Sequence, residues 1–368
     1  MVVGADVLII GAGIIGCATA RELARRGARV RVFEARTVAA GATHASAGIL
    51  APYIEAHERG PLFDLTIRSL ALYDDWIAEV CTDAAVDVEY ERCGTLELAP
   101  DATSADHLRA LADSNHLEWL DGNTVRAIER LVPQSIVGAL RAKEHGYVAV
   151  SALTEALEWA SLRLGVEVET RRRITSVVPD ADRVRVTADD GVSWDARWVV
   201  VAAGSWTRDI GLREPAGTHV RPVRGQLLRL KWEARPITHI LWGPACYLVP
   251  WRDGTVLVGA TVEDVGFDER TTAAGVRDLL DAACELVPET WRATFLDARV
   301  GLRPATSDGL PIIGPSEIDQ NIVYATGHFR NGVLLAPITA RIVSDYVLED
   351  RRDPALPLLR PGRFIAVP

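Results

Sequence analysis

The apolar positions change their period along the chain. Residues Val7–Ile10 are apolar without interruption, as in a strand buried on both faces. From Ile14 to Arg26 the apolar residues recur at helical spacing. Gly27 then stands where a left-handed residue ends a helix. A second strand is predicted over Arg29–Phe33, running into Glu34. An amphipathic helix is predicted from about Pro61 to Val80, with Leu62, Leu65, Ser69, Leu70, Tyr73, Trp76, Ile77 and Val80 on one face. Residues 85–145 mix short strands and helices, with Gly94–Leu98 strand-like.

Ser151–Leu164 reads as a helix with Ser151 as N-cap and Gly165 as its stop. Strands follow near Val166–Thr170 and Ile174–Val178. A hairpin turns at Asp190–Gly191, and the apolar run Trp198–Ala202 comes next. Between about 220 and 300 long strands alternate with turns. They are Val220–Lys231, His239–Val249 and Thr255–Gly259, with one helix at about Ala273–Leu286. The chain then returns to strand and helix, with a buried strand at Ile322–Thr326 and a helix over Asn331–Leu348 capped by Asn331. The fold class predicted is α/β (α+β overall): a Rossmann-type domain with an inserted, mostly antiparallel β-sheet domain.

Composition narrows the function. A chain of 368 residues suits two domains. The net charge of −10 and isoelectric point near 5.4 argue against a nucleic-acid partner. An anionic substrate would need arginines placed locally. The five cysteines are scattered without metal spacing, which points to free thiols in a reducing compartment. No apolar stretch is long enough for a bilayer, and no signal-peptide pattern opens the chain. The expected location is cytoplasmic, with no membrane partner.

The first motif is Gly11-Ala12-Gly13-Ile14-Ile15-Gly16, between a strand and a helix. Gly11 permits the tight turn, Gly13 lets the backbone approach a pyrophosphate, and Gly16 lets helix and strand pack closely. The helix N-terminus offers N–H groups to phosphates. Glu34 stands where a carboxylate accepts from ribose hydroxyls. This is a dinucleotide site, and the motif alone does not separate FAD from NAD.

Three later features favour FAD. The loop Gly41–Gly48, with Ala42, Thr43, Ser46, Ala47 and Gly48, is small and rich in hydroxyls, suited to a ribityl chain; a plain flexible loop has a similar composition. The strand Val199–Ala202 ends in Ala203, Gly204, Ser205 and Trp206, where something passes close by or a strand end simply packs. Gly327, His328, Phe329, Arg330, Asn331 and Gly332 precede the last helix, whose positive end would face a flavin ring and stabilise its reduced, anionic form.

Two side chains stand out beyond the cofactor. Arg303 lies in the apolar and small-residue stretch Gly301–Pro304, where it could take a carboxylate; a lone arginine is more often structural. Tyr247 lies mid-strand, where most tyrosines serve packing. No histidine spacing suggests a metal, and nothing marks a nucleophilic triad.

The stretches GAGIIG with Glu34, ATHASAG, CYLVP, VGAT, GLRPATSDGLPIIG and GHFRNGVLLAP resemble the D-amino-acid-oxidase-like flavoenzymes, most closely the glycine-oxidase branch that serves thiamine biosynthesis. The resemblance covers nearly the whole chain. It implies a discontinuous FAD-binding domain over 1–84, 145–215 and 302–368, and a substrate-binding domain over 85–144 and 216–301. It implies FAD held without a covalent bond, since His44 is one position off the attachment pattern of covalent relatives. Arg303 matches the arginine that pairs with a substrate carboxylate, Tyr247 its hydrogen-bonding companion, and Arg330 the arginine near flavin and substrate.

Ile14, Ile15, Glu34, Ala35, Ala42, Thr43, Ala47, Gly48 and Ile49 match contacts to the ADP and pyrophosphate. Val177 matches a residue whose backbone meets the adenine. His328 to Leu334, including Val333, match the stretch along the isoalloxazine. Ala245 replaces a histidine near the substrate, and Val262 replaces a methionine at the pocket wall, so the substrate pocket differs there.

The implied activity is oxidation of a small amino acid such as glycine, sarcosine or a small D-amino acid. Hydride passes to the flavin, the imine is hydrolysed, and O2 is reduced to H2O2. No side-chain base is obligatory when the free amine reacts. The resemblance also implies a homo-oligomer, often a tetramer. The rival readings are a D-amino-acid, sarcosine or proline dehydrogenase that uses another acceptor, a flavoprotein subunit of a multi-subunit amine dehydrogenase, and a flavin-binding protein with a structural role.

Overall fold

The computed structural model describes residues 5–55, 60–112, 115–212 and 219–364; the expected domain boundary at 215–216 lies outside them. The strand Val7–Ile10 sits inside a six-stranded sheet. It pairs in parallel with Val30–Glu34 on one side and Trp198–Val201 on the other. Glu167–Thr170 extends one edge in parallel. At the other, Ile322–Thr326 is parallel and Ile312–Pro315 closes antiparallel.

The unbroken apolar run now has its reason. Val7 and Ile9 face one core, with the helices Ile14–Arg25, Pro61–Ala84, Val150–Arg163 and Gly332–Glu349. Leu8 and Ile10 face a second core, under the antiparallel strands Ile174–Asp180, Arg183–Ala188 and Ser193–Ala196. Both faces of the sheet are covered, so no position of this strand can be polar.

Helix ends differ from expectation in two places. Ser151 is not the N-cap: the helix starts at Val150 with Ala149 at the cap position and no side-chain bond. Asn331 does hold the cap position of Gly332–Glu349, but its side chain makes no capping hydrogen bond. That last helix contains Pro337, which lacks the N–H that would bond the Val333 carbonyl four residues back. Tyr73 supplies the donor instead, its hydroxyl lying 2.5 Å from Val333 O. Beside it Ser69 Oγ donates to Leu334 O at 2.6 Å. The helix Pro61–Ala84 therefore repairs the defect created by Pro337.

The second sheet has eight strands. In order these are Thr294–Ala305, Arg221–Lys231, Thr255–Gly259, Tyr247–Pro250, Ile240–Trp242, Thr95–Ala99, Gly138–Ala142 and Leu117–Asp121. All neighbours are antiparallel except Ile240–Trp242 with Thr95–Ala99. The single strand expected over His239–Val249 is in fact a hairpin. Gly243 N donates to Cys246 O at 2.8 Å, and Pro244 cannot extend a ladder. The helix Ala273–Leu286 starts on a Thr272 cap and packs Leu279, Ala283 and Leu286 against this sheet.

All five cysteines are free thiols. No helix among the described residues is long and apolar enough to cross a membrane. No described group of His, Cys, Asp and Glu could hold a metal ion.

Candidate active site

The strand end at Ile10 opens into a cavity of about 780 Å³ between the two sheets, within the size range of small-molecule sites. At one end the lining is mostly backbone. Gly11 has φ +106, and a Cβ there would lie 2.5 Å from Ala202 O. A Cβ on Gly16 would lie 1.9 Å from Gly11 O. The helix Ile14–Arg25 thus sits directly on the loop. Its cap residue, Gly13, has no side chain to occupy the helix N-terminus, which faces the cavity.

Ile14 N–H donates to Thr43 Oγ1 at 3.1 Å, which ties the turn Ala42–Ala45 to the helix start. Glu34 accepts from Ala12 N–H at 2.9 Å and from Arg36 N–H at 2.8 Å, one bond to each oxygen. A carboxylate has room for about four acceptor bonds, so it can still receive hydroxyls from the cavity. The helix Gly332–Glu349 also starts at the wall, with Gly332, Val333 and Leu334 lining it. Two helix N-termini therefore lend the cavity positive potential.

At the other end the lining is side chain, from the antiparallel sheet. Arg303 lies near the end of Thr294–Ala305, opposite Val223 and diagonal to Gly225 on the neighbouring strand. A Cβ on Gly225 would lie 2.3 Å from the guanidinium carbon, so the arginine lies across the glycine. Arg303 Nη1 donates to Thr261 O at 2.9 Å. Burial pulls the Arg303 pKa down, opposed by Tyr247, with the positive Arg330 adding to the fall.

Tyr247 repeats the device on the next strand pair. It stands opposite Gly259, where a Cβ would lie 2.4 Å from its hydroxyl. Burial raises its pKa, so it is a neutral donor. Trp242 faces Tyr247 across the hairpin, with ring centroids 5.1 Å apart. The Arg330 guanidinium lies 6.0 Å from the Trp242 ring and pairs with Glu55 at 3.1 Å. A cation and a neutral phenol beside an apolar ring make a receptor for a small carboxylate.

A model of the family DAO, FAD dependent oxidoreductase, matches residues 6–346. The chain belongs to that family. The bifunctional protein ThiO/ThiG of Synechocystis is 35% identical over 366 residues, 98% of this chain and 54% of that protein. The chain spans about half the length of such bifunctional relatives. The glycine oxidase of Bacillus licheniformis is 31% identical over 93% of each chain. The crystal structure of glycine oxidase from Geobacillus kaustophilus superposes with a TM-score of 0.92 at 30% identity, covering 98% of this chain and 99% of that one.

FAD is the cofactor of this family, and the cavity fits it. The glycine backbone at Gly11–Gly16, the N-terminus of the helix Ile14–Arg25 and the Glu34 carboxylate meet the needs of a pyrophosphate and a ribose. The remaining length reaches the Arg303 wall. All the cofactor and substrate positions expected from sequence line this cavity except Gly16, Val177 and Gly327.

Gly16 acts through packing, as its missing Cβ shows. Gly327 is a turn residue with φ +73, where a Cβ would lie 2.7 Å from Thr306 Cγ2. Val177 is not among the residues that line the cavity. Arg173, Ile174 and Thr175 line the cavity instead, and Val177 is buried opposite Val186 in the strand pair. At about 3.3 Å per residue the strand has left the cavity by then. His328 lines the wall, but its imidazole turns inward to Thr339 Oγ1 at 3.0 Å. Ala245 and Val262 both lie at the cavity, and Val262 is 61% exposed.

Sequence reasoning missed Glu55, Trp242, Gly225, Gly259 and Arg36. Glu55 closes a four-residue helix, Pro52–Glu55, too short to leave a periodic signal. Arg36 follows Glu34 by two residues, pairs with Glu269 at 3.1 Å and lies 4.5 Å from the Trp206 ring. Its spacing from Glu34 was a usable signal.

Proposed function

We propose that the protein oxidises a small primary or secondary amino acid, glycine foremost and also sarcosine or small D-amino acids, at its Cα–N bond, with O2 reduced to H2O2. The observation that carries this is the Arg303–Tyr247 pair laid across two glycines at the far end of an FAD-sized cavity. When bound, FAD would supply the hydride acceptor for the substrate and the electron donor for dioxygen.

The chain's residues do the rest. Arg303 and Tyr247 take the carboxylate and fix the position of Cα, and orientation of this kind supplies several kcal/mol of a barrier. The net positive charge of Arg303, Arg330 and Glu55 disfavours a further cation, so the bound amine is held neutral and needs no side-chain base. The small side chains of Ala245 and Val262 set the width of the pocket. Ile14, Ile15, Glu34, Ala35, Ala42, Thr43, Ser46, Ala47, Gly48 and Ile49 hold the ADP half and diphosphate. Ala203, Gly204, Trp206 and His328–Leu334 hold the ribityl and ring portion.

We assign residues 1–84, 145–215 and 302–368 to cofactor binding and 85–144 and 216–301 to substrate binding, with the strand Thr294–Ala305 of the eight-stranded sheet crossing the boundary and carrying Arg303 into the substrate wall. The cofactor is non-covalent. His44 is turned to Gly41 O at 2.8 Å, which supports that reading. We assign the reaction to thiamine biosynthesis in the cytoplasm, by a homo-oligomer, on the likeness to the glycine-oxidase branch.

The test is peroxide release in air by the purified yellow protein given glycine, sarcosine, D-alanine or D-proline. Peroxide from glycine is the expected result. Substrate-driven flavin bleaching without peroxide would instead indicate a dehydrogenase, and no reaction with any of the four would overturn the reading.

A further inference from the structure

Two arginines face the substrate end of the cavity, and they are not equivalent. Arg330 pairs with the carboxylate of Glu55 at 3.1 Å. Arg303 donates to a neutral carbonyl, Thr261 O, at 2.9 Å. Glu263 is engaged elsewhere, by Arg224 at 2.5 Å and by Gln226 and Thr261. Among the described residues at this end, the charges of Arg303, Arg330 and Glu55 sum to a single positive charge. That matches a ligand with one carboxylate and a neutral amine. Glu55 itself is well shielded, its side chain 18% exposed, so its charge is only partly screened by solvent.

We propose that Glu55 sets substrate specificity by neutralising Arg330, so that the site takes monocarboxylic amino acids and rejects those with a second acidic group. This rests on the amino-acid-oxidation reading of the same site. A second carboxylate on the amine nitrogen or the side chain, as in iminodiacetate or D-aspartate, would reach the Arg330 side and meet Glu55. It would find its cation already taken and a like charge beside it. Such repulsion is a standard way to reject a near-isostere. With Glu55 neutral, Arg330 is freed, the local charge becomes +2, and the site suits a dianion.

Burial also raises the Glu55 pKa, against the pull of Arg330 and Arg303; the experiment is therefore run at pH 8, well to the alkaline side of the ordinary carboxylate range. Two non-reacting probes separate the effect from chemistry. Methoxyacetate and oxydiacetate share a carboxymethyl ether, and oxydiacetate carries a second carboxylate. Their binding to the FAD-loaded protein is read from the perturbed flavin absorbance.

The wild type should bind methoxyacetate at least tenfold more tightly than oxydiacetate, and Glu55→Gln should reduce or reverse that ratio by at least tenfold, about 1.4 kcal/mol. The kcat/KM ratio of iminodiacetate to glycine should rise in parallel. Arg330→Gln combined with Glu55→Gln should abolish the gain. Equal affinities in the wild type, or a ratio moved less than twofold by Glu55→Gln, overturn the proposal. The wild-type comparison stands even if the variant loses FAD. A wild type that oxidises glycine with an unmoved ratio sinks only this inference. A wild type that oxidises no amino acid and binds neither probe sinks the functional reading beneath it.

Discussion

At the Gly11–Glu34 end of the cavity the groups that face a ligand are, apart from the Glu34 carboxylate, mostly backbone. They are the N–H groups at the start of the helix Ile14–Arg25, held at close range because Gly11 and Gly16 lack a Cβ. At the Arg303–Tyr247 end the groups are side chains, each resting in the space left by a glycine on the adjoining strand. Glycine serves both ends, for different reasons. In the cradle it brings main chain against main chain. In the substrate wall it makes room for a large polar side chain to lie flat against the sheet. The first device suits a cofactor that binds the same way in every turnover. The second can be retuned one residue at a time.

Perturbing the cradle should therefore cost the most. Gly16→Val would place carbon where Gly11 O already sits, since even a Cβ would lie 1.9 Å from that oxygen. The helix must move off the loop, and both FAD binding and folding should fail. Flavin content of the purified variant should drop more than tenfold, with little protein in the soluble fraction. A yellow, soluble Gly16→Val would show that the cradle tolerates a gap between helix and loop.

Arg303→Ala comes next. KM for glycine should rise roughly a hundredfold, as for loss of a charged hydrogen-bonded pair of a few kcal/mol, while FAD stays bound. An unchanged KM would remove Arg303 from the substrate wall.

How far each end could be read from sequence follows from the same contrast. The cradle is contiguous: a strand, a glycine loop, a helix and Glu34 lie within one short stretch, and each local cue survives in the structure. The substrate wall depends on register between strands distant in sequence. Arg303 and Tyr247 were visible as residues, but Gly225 and Gly259 beneath them were not, because nothing local says which glycine will lie beside which side chain. The hairpin in 239–249 was read as one strand because apolar residues flank Gly243-Pro244 on both sides. Val177 was placed by likeness, and the part of its strand that lines the cavity ends two residues earlier, at Thr175. Glu55 gave no cue at all.

The smallest effect belongs to the seams that join the two ends. His145 accepts from Tyr53 N–H at 3.2 Å and meets Thr95 Oγ1 of the eight-stranded sheet at 3.2 Å. Burial pushes the pKa values of His145 and His328 down to about 3, against roughly 6.5 in an unfolded chain. Between those values the unfolded chain binds more protons. Stability contributed by the neutral histidines is present above about pH 6.5 and falls as the pH drops below it, by about 1.4 kcal/mol per pH unit for each. The Tm should decline from pH 6.5 to pH 5, and His145→Gln should make the decline shallower. An equally steep decline in that variant would mean that His145 is not a neutral joint.

The division of labour itself is tested most directly at Gly225. A Cβ there would lie 2.3 Å from the Arg303 guanidinium, which supplies its three nearest atoms. Flavin content and KM for glycine should be measured on the same preparation of Gly225→Ala. Stoichiometric FAD with KM raised about tenfold is the predicted result. Lost flavin with KM unchanged in the fraction that retains it would contradict an account in which backbone holds the cofactor and side chains on glycine hold the substrate.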